Sequence, residues 1–120
     1  MIRIAREDRA AFARLHSQLR PTLAVRVATV PLGPADVAAV TNATFIEVWR
    51  LAGRCPEYQT DVLYWVHTIA ARRAVDRRHA RMARASEDDQ STDLLAAFDR
   101  QTQMELDALL SYSASTGHER

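Results

Sequence analysis

Apolar residues recur at three- and four-residue spacings along most of this chain, and four stretches carry that rhythm strongly enough to predict helices. The first runs from Glu7 to Arg20, with Phe12, Leu15 and Leu19 on one stripe that Leu23 and Val27 can continue. Pro21 is expected to kink or restart it, because a proline ring removes a backbone donor and crowds the preceding turn. Pro31-Leu32-Gly33-Pro34 is a turn, and Pro34 suits the first position of the next helix. That helix is predicted from Ala35 to Ala52, with Val37, Val40, Thr44, Val48 and Leu51 on one stripe, Phe45 and Trp49 beside it, and Gly53 as its stop. A third helix follows from Thr60 to Arg84. Its first half, Val62 to Ile69, reads as packing, and its second half fills with arginines after Val75. A polar linker, Ala85 to Gln90, leads to a last helix that Ser91 or Thr92 can cap, with Leu94, Leu95, Phe98, Leu106, Leu109 and Leu110 on its apolar side. The final SASTGHER reads as a frayed end.

Composition agrees with an all-helical reading. The chain has 120 residues, 48% of them hydrophobic, with only 3 glycines and 4 prolines, which is enough for one modest core. No apolar run approaches the roughly 18 residues that a membrane span requires, and the N-terminus lacks a signal-peptide core. A soluble, cytoplasmic protein with no membrane partner is expected. Cys55 is the single cysteine, so no internal disulfide and no multi-thiolate metal cluster can form.

Charge changes the picture more than composition does. The formal net charge is only +1, yet residues 1–85 hold 14 arginines against 7 acids and residues 86–120 hold 2 against 8. A basic body with an acidic tail predicts a polyanionic partner for the body and a competitor in the tail.

Enzyme signatures are missing: the chain has no glycine-rich phosphate loop, no Gly-x-Ser-x-Gly elbow and no His-Glu-x-x-His pair. Neither catalysis nor a cofactor or metal is expected.

The run FIEVWRLAGR, followed after a short loop by YWVHTIAARRAVDRRHAR, resembles region 2 of the extracytoplasmic-function (ECF) group of bacterial sigma factors. Phe45, Val48, Trp49 and Arg50 carry the likeness on one helix, and Trp65, Ile69, Ala70, Ala74, Val75, Asp76 and Arg77 carry it on the next. The resemblance spans about residues 7–84 and implies a compact helical bundle over residues 1–85, with residues 86–120 as an acidic linker and C-terminal helix. It further implies two partners, the RNA polymerase core and single-stranded minus-ten promoter DNA, and an anti-sigma factor as a third. Base capture falls on the loop around Arg54, Tyr58, Gln59, Thr60 and Asp61, and backbone contacts on Arg72, Arg73, Arg77, Arg78 and Arg81. Read as residues alone, Trp49 and Trp65 are core side chains, and Asp76 is spaced to pair with Arg72 or Arg73 on its own helix.

Two departures stand out. Where the family carries acids and a glutamine toward polymerase, this chain has Ala38, Ala39, Asn42 and Ala43, and losing one partner of a buried interfacial charge pair costs about 2 to 5 kcal/mol. Too few residues follow Arg84 to build the family's second DNA reader, region 4. The arginine run therefore favours a transcription-initiation domain. The alanines favour an alternative, a sigma-like module that has lost polymerase docking and binds an anti-sigma factor or a copy of itself.

Overall fold

The computed structural model describes residues 9–52, 62–84 and 89–118, with side chains except at 84, 89–93 and 112–118. It is an all-α bundle of four helices: α1 (Arg9–Val27), α2 (Pro34–Leu51), α3 (Val62–Arg84) and α4 (Asp89–His118). Gly53, the expected stop of α2, lies outside the described residues, as do the loop residues Arg54, Tyr58, Gln59, Thr60 and Asp61.

Pro21 does not end the first helix. It lies inside α1, where its missing N–H and its ring would ordinarily cost about 3 kcal/mol. Burial of Leu23 and Val27, one turn apart beyond it, offsets that cost by removing both from water. The helix closes by tightening, as Thr29 N donates to Arg26 O at 3.2 Å and Val30 N to Val27 O at 3.1 Å. Gly33 then caps α2 in an extended conformation with Pro34 at the first position, as expected, and Val37 N donates back to Gly33 O at 3.0 Å.

The core gathers Phe12, Leu23 and Val27 of α1, Val40, Phe45, Ile46 and Val48 of α2, Val66, Ile69, Ala70 and Ala74 of α3, and Leu106 of α4. Phe12 is its hub, meeting Phe45 and Trp49 edge-on at ring separations of 6.4 and 5.4 Å. Trp49 and Trp65 both pack against this cluster, as their stripe positions predict. Thr41 and Thr44 are buried on α2 without penalty, because their hydroxyls donate to the carbonyls of Val37 and Val40 at 2.7 and 2.8 Å.

The last helix differs from expectation at both ends. Its backbone is helical from Asp89, ahead of Ser91 and Thr92, and stays helical to His118. Its apolar side is split: Leu106 is buried and Leu95, Leu109 and Leu110 are half-buried, whereas Leu94 and Phe98 stand exposed. α4 packs on α1 and α2, and it meets α3 at the ion pair between Arg77 and Asp99.

Candidate interface on the arginine helix and its neighbours

The arginines of α3 divide into two classes. Four of the five expected to track nucleic acid are held by carboxylates of this same chain. Glu47 of α2 splits its two oxygens between neighbours: Arg72 Nη2 donates to Oε2 at 2.6 Å and Arg73 Nε donates to Oε1 at 2.6 Å. One turn further along, Asp36 accepts from Arg77 Nε at 2.9 Å and twice from Arg81, through Nε and Nη2, at 2.8 Å each. Arg77 also grips Asp99 of α4 through both terminal nitrogens. Asp76 takes no part in holding Arg72 or Arg73, contrary to the spacing argument, because Glu47 on the packed neighbour reaches them first.

Burial grades these pairs. The Arg77 side chain is only 10% exposed and Arg72 is 61% exposed, with Arg73 and Arg81 between them. Burial pushes the Asp36 carboxyl up, but hydrogen bonds from Arg81 and Arg77 outweigh it and hold the group below its ordinary value. Glu47 behaves alike: burial raises it, and the hydrogen bonds from Arg72 and Arg73 bring it down further. For Arg77, burial works against the charge while bonds to Asp99 and Asp36 raise the group above its ordinary value. Such a pair is costly to open, so Arg77 and Arg81 are better placed to clamp α2 to α3 than to reach a phosphate.

What remains on the outside of α3 is narrower. Tyr64, Thr68, Ala71, Val75 and Met82 are all exposed, and Arg78 is half-buried without an ion pair among the described residues. These six recur at alternating spacings of four and three, so they form one continuous face. Arg72 and His79 flank it. Tyr64, read from sequence as part of the packed half, is 65% exposed and Leu63 also turns outward; of the apolar residues in that half, Val62, Trp65, Val66 and Ile69 pack on the core. An exposed aromatic ring, an arginine without an ion pair among the described residues and a flanking arginine shared with Glu47 supply stacking and charge of the kind that single-stranded nucleic acid requires.

The α2 residues that the resemblance turns toward polymerase are mostly covered. Ala38 is exposed, but Ala39 and Asn42 are buried, and Asn42 Nδ2 donates to Gln103 Oε1 of α4 at 2.6 Å. Ala43 sits between two clefts on the α2–α4 seam, of about 220 and 170 Å³, both lined by Phe98. Arg50 closes the far end of the seam on Glu105 at 2.7 Å. The tail therefore lies over the side of α2 that the resemblance turns toward polymerase, completes the core through Leu106, and reaches the arginine helix at Arg77.

Sequence reasoning overlooked Asp36, Glu47 and Asp99. A signal for the first two was present: they lie eleven residues apart, three turns along one face of α2, opposite arginines that recur at four-residue intervals on α3.

Comparison with known proteins gives one consistent direction. The chain is 34% identical over 74 residues to the ECF RNA polymerase sigma factor SigK of Mycobacterium sp. (strain KMS), and 33% identical over 75 residues to the protein of that name in Mycobacterium tuberculosis (strain ATCC 25618 / H37Rv). Over that stretch the chain is sigma-factor-like. The alignments take in 62% of this chain and 38% and 40% of those relatives, so it spans about two fifths of their length. No family model and no solved structure matches it. Among the described residues, no helix is long and apolar enough to cross a membrane.

Proposed function

We propose that this chain is a non-enzymatic, sigma-factor-like domain of transcription initiation, corresponding to region 2 and meeting single-stranded minus-ten promoter DNA through the outer face of α3. The observation that carries the reading is the split among the arginines, taken together with the likeness to ECF sigma factors over 74 residues. Asp36, Glu47 and Asp99 hold the inner arginines. The exposed ring of Tyr64, the partly solvated Arg72 and Arg78 remain on the outside. Bases would stack on Tyr64 and the backbone would run past Arg72 and Arg78, with Arg54, Tyr58, Gln59, Thr60 and Asp61 as the further contacts that the resemblance implies.

Fluorescence anisotropy with labelled single-stranded and duplex DNA at low salt tests this. Preferential binding of the single strand, weakened by Tyr64→Ala and Arg78→Ala, is expected. Equal affinity for both strands and both variants would overturn it.

A second reading has its own support. With α4 on Ala39, Asn42 and Ala43, the α2 face is not open to a polymerase helix unless α4 moves. That favours a module whose partner is another protein, an anti-sigma factor or a copy of itself. Capture on immobilised RNA polymerase core separates the two, since retention at low salt supports the first reading and its absence the second.

A further inference from the structure

We propose that the outward face of α4 is a self-association surface, on which a second copy of this chain lays its own α4 antiparallel. The inference needs neither polymerase nor nucleic acid, and it gives the second reading a definite partner.

Thr102 and Leu106 turn α4 toward the core. On the opposite side Leu94, Ala97, Gln101, Met104, Ala108 and Ser111 are all exposed, at alternating spacings of three and four. That is the seam of a helix pair, roughly 27 Å long at 1.5 Å per residue. Leu94 and Met104 are 69% and 65% exposed, so the face carries large apolar side chains that nothing among the described residues covers, and Phe98, 58% exposed, lies between this face and the α2 seam.

Charge selects the occupant. In an antiparallel pair that uses the whole seam, Gln101 lies opposite the partner's Met104, Ala97 opposite the partner's Ala108, and Leu94 opposite the partner's Ser111. The facing alanines let the backbones approach closely. In this register Arg100 falls opposite the partner's Asp107, and two-fold symmetry forms the same pair again on the other side. Both residues are exposed, and Arg100 has no ion pair among the described residues. Asp107 accepts from Gln103 Nε2 at 2.9 Å through Oδ1, which leaves Oδ2 for a cation. A parallel pair would set Arg100 against Glu105, already bonded to Arg50 at 2.7 Å, and would leave Asp107 without a cation. The outer face of α3 has the same alternating spacing but carries the cationic Arg78 within the seam itself, whose charge a second copy would have to bury.

Analytical ultracentrifugation of the full chain over a range of micromolar concentrations tests the proposal, with circular dichroism to show that each variant is folded. The wild type is expected to pass from monomer to dimer. Arg100→Asp and Asp107→Arg should each weaken the dimer by about tenfold or more, because like charges then meet twice. An equimolar mixture of the two variants should recover a heterodimer, since every facing pair is again opposite in sign. A wild type that stays monomeric, a dimer that neither variant weakens, or a mixture that recovers nothing would each overturn it.

Discussion

Arg81 holds Asp36 with two nitrogens at once, Nε on Oδ2 and Nη2 on Oδ1, each at 2.8 Å, and so ties the end of α3 to the first turn of α2. The pair is two-pronged and partly shielded, and the same carboxylate also accepts from Arg77 at 2.9 Å. One aspartate therefore neutralises two arginines that net charge alone would assign to a polyanion.

Replacing Asp36 by alanine leaves both guanidinium groups short of a partner in a place where water reaches them poorly. Arg77 keeps Asp99 and Arg81 is more open, which limits the damage. A loss of about 2 to 4 kcal/mol is expected in urea unfolding. Asp36→Asn keeps one acceptor oxygen but sets an amide NH2 against guanidinium donors and removes the charge, so it should recover little of that loss.

Arg77 and Arg78 are neighbours in sequence with opposite roles, and their alanine variants should separate cleanly. Arg77→Ala strands Asp99, leaves Asp36 to Arg81 alone, and should lower stability by about 2 to 3 kcal/mol. Arg78→Ala should stay within about 0.5 kcal/mol of the parent, yet weaken single-stranded DNA binding several-fold. With about two or three phosphates contacted by the outer face of α3, the logarithm of affinity should fall against that of salt concentration with a slope of about −1.4 to −2.1. Anisotropy titrations at several salt concentrations read both numbers.

Acid should weaken the fold in two windows. His16 Nε2 is buried without a hydrogen-bond partner, its ring packs edge-on to Phe45 at 4.6 Å, and burial, helped by Arg20, holds its titration below the ordinary 6.5. The unfolded chain therefore takes up that proton first, and stability drains as pH falls from 6.5 toward the folded value. Asp36 and Glu47 titrate below 3.8 and 4.5 in the fold, so their contribution is present above those values and is lost as pH falls through the lower folded ones. Denaturation midpoints at pH about 7.5, 5.5 and 3 should decline at each step. His16→Leu should flatten the first step and leave the second.

How much of this could be read from the chain depends on the kind of contact. The helices and most of the core were legible, because Val40, Thr44 and Val48, or Val66 and Ile69, repeat at the period that one buried face imposes. The helix runs past Pro21 along the stripe that Leu23 and Val27 continue in sequence, and how much their burial offsets the proline's local backbone cost is a tertiary matter. The arginine face was legible as charge but not as a surface. Whether Arg77 meets solvent or Asp36 depends on which face of α2 lies against α3. Asp76 looked the partner of Arg72 or Arg73 only because it is near them in sequence, and Glu47 of α2 holds both. The position of α4 was equally hidden, since Gln103 gives no sign on its own that it will bond Asn42 across 61 residues.

That contact bears on the polymerase question and yields a last contrast. Ala38 and Ala43 both stand where the resemblance expects acids, but only Ala38 is exposed; Ala43 lies under α4 beside Phe98. Ala38→Glu adds a charge in water, so stability should change by no more than about 0.5 kcal/mol. If polymerase docking is limited by missing acids, retention on the core enzyme should rise. Ala43→Glu must bury its carboxylate in the seam or push α4 aside, and it should cost about 1 to 3 kcal/mol. A gain in retention from Ala43→Glu larger than that from Ala38→Glu would identify α4 as the barrier, because only Ala43→Glu disturbs it. A gain from Ala38→Glu alone would place the deficit in charge and leave α4 where it is when polymerase binds.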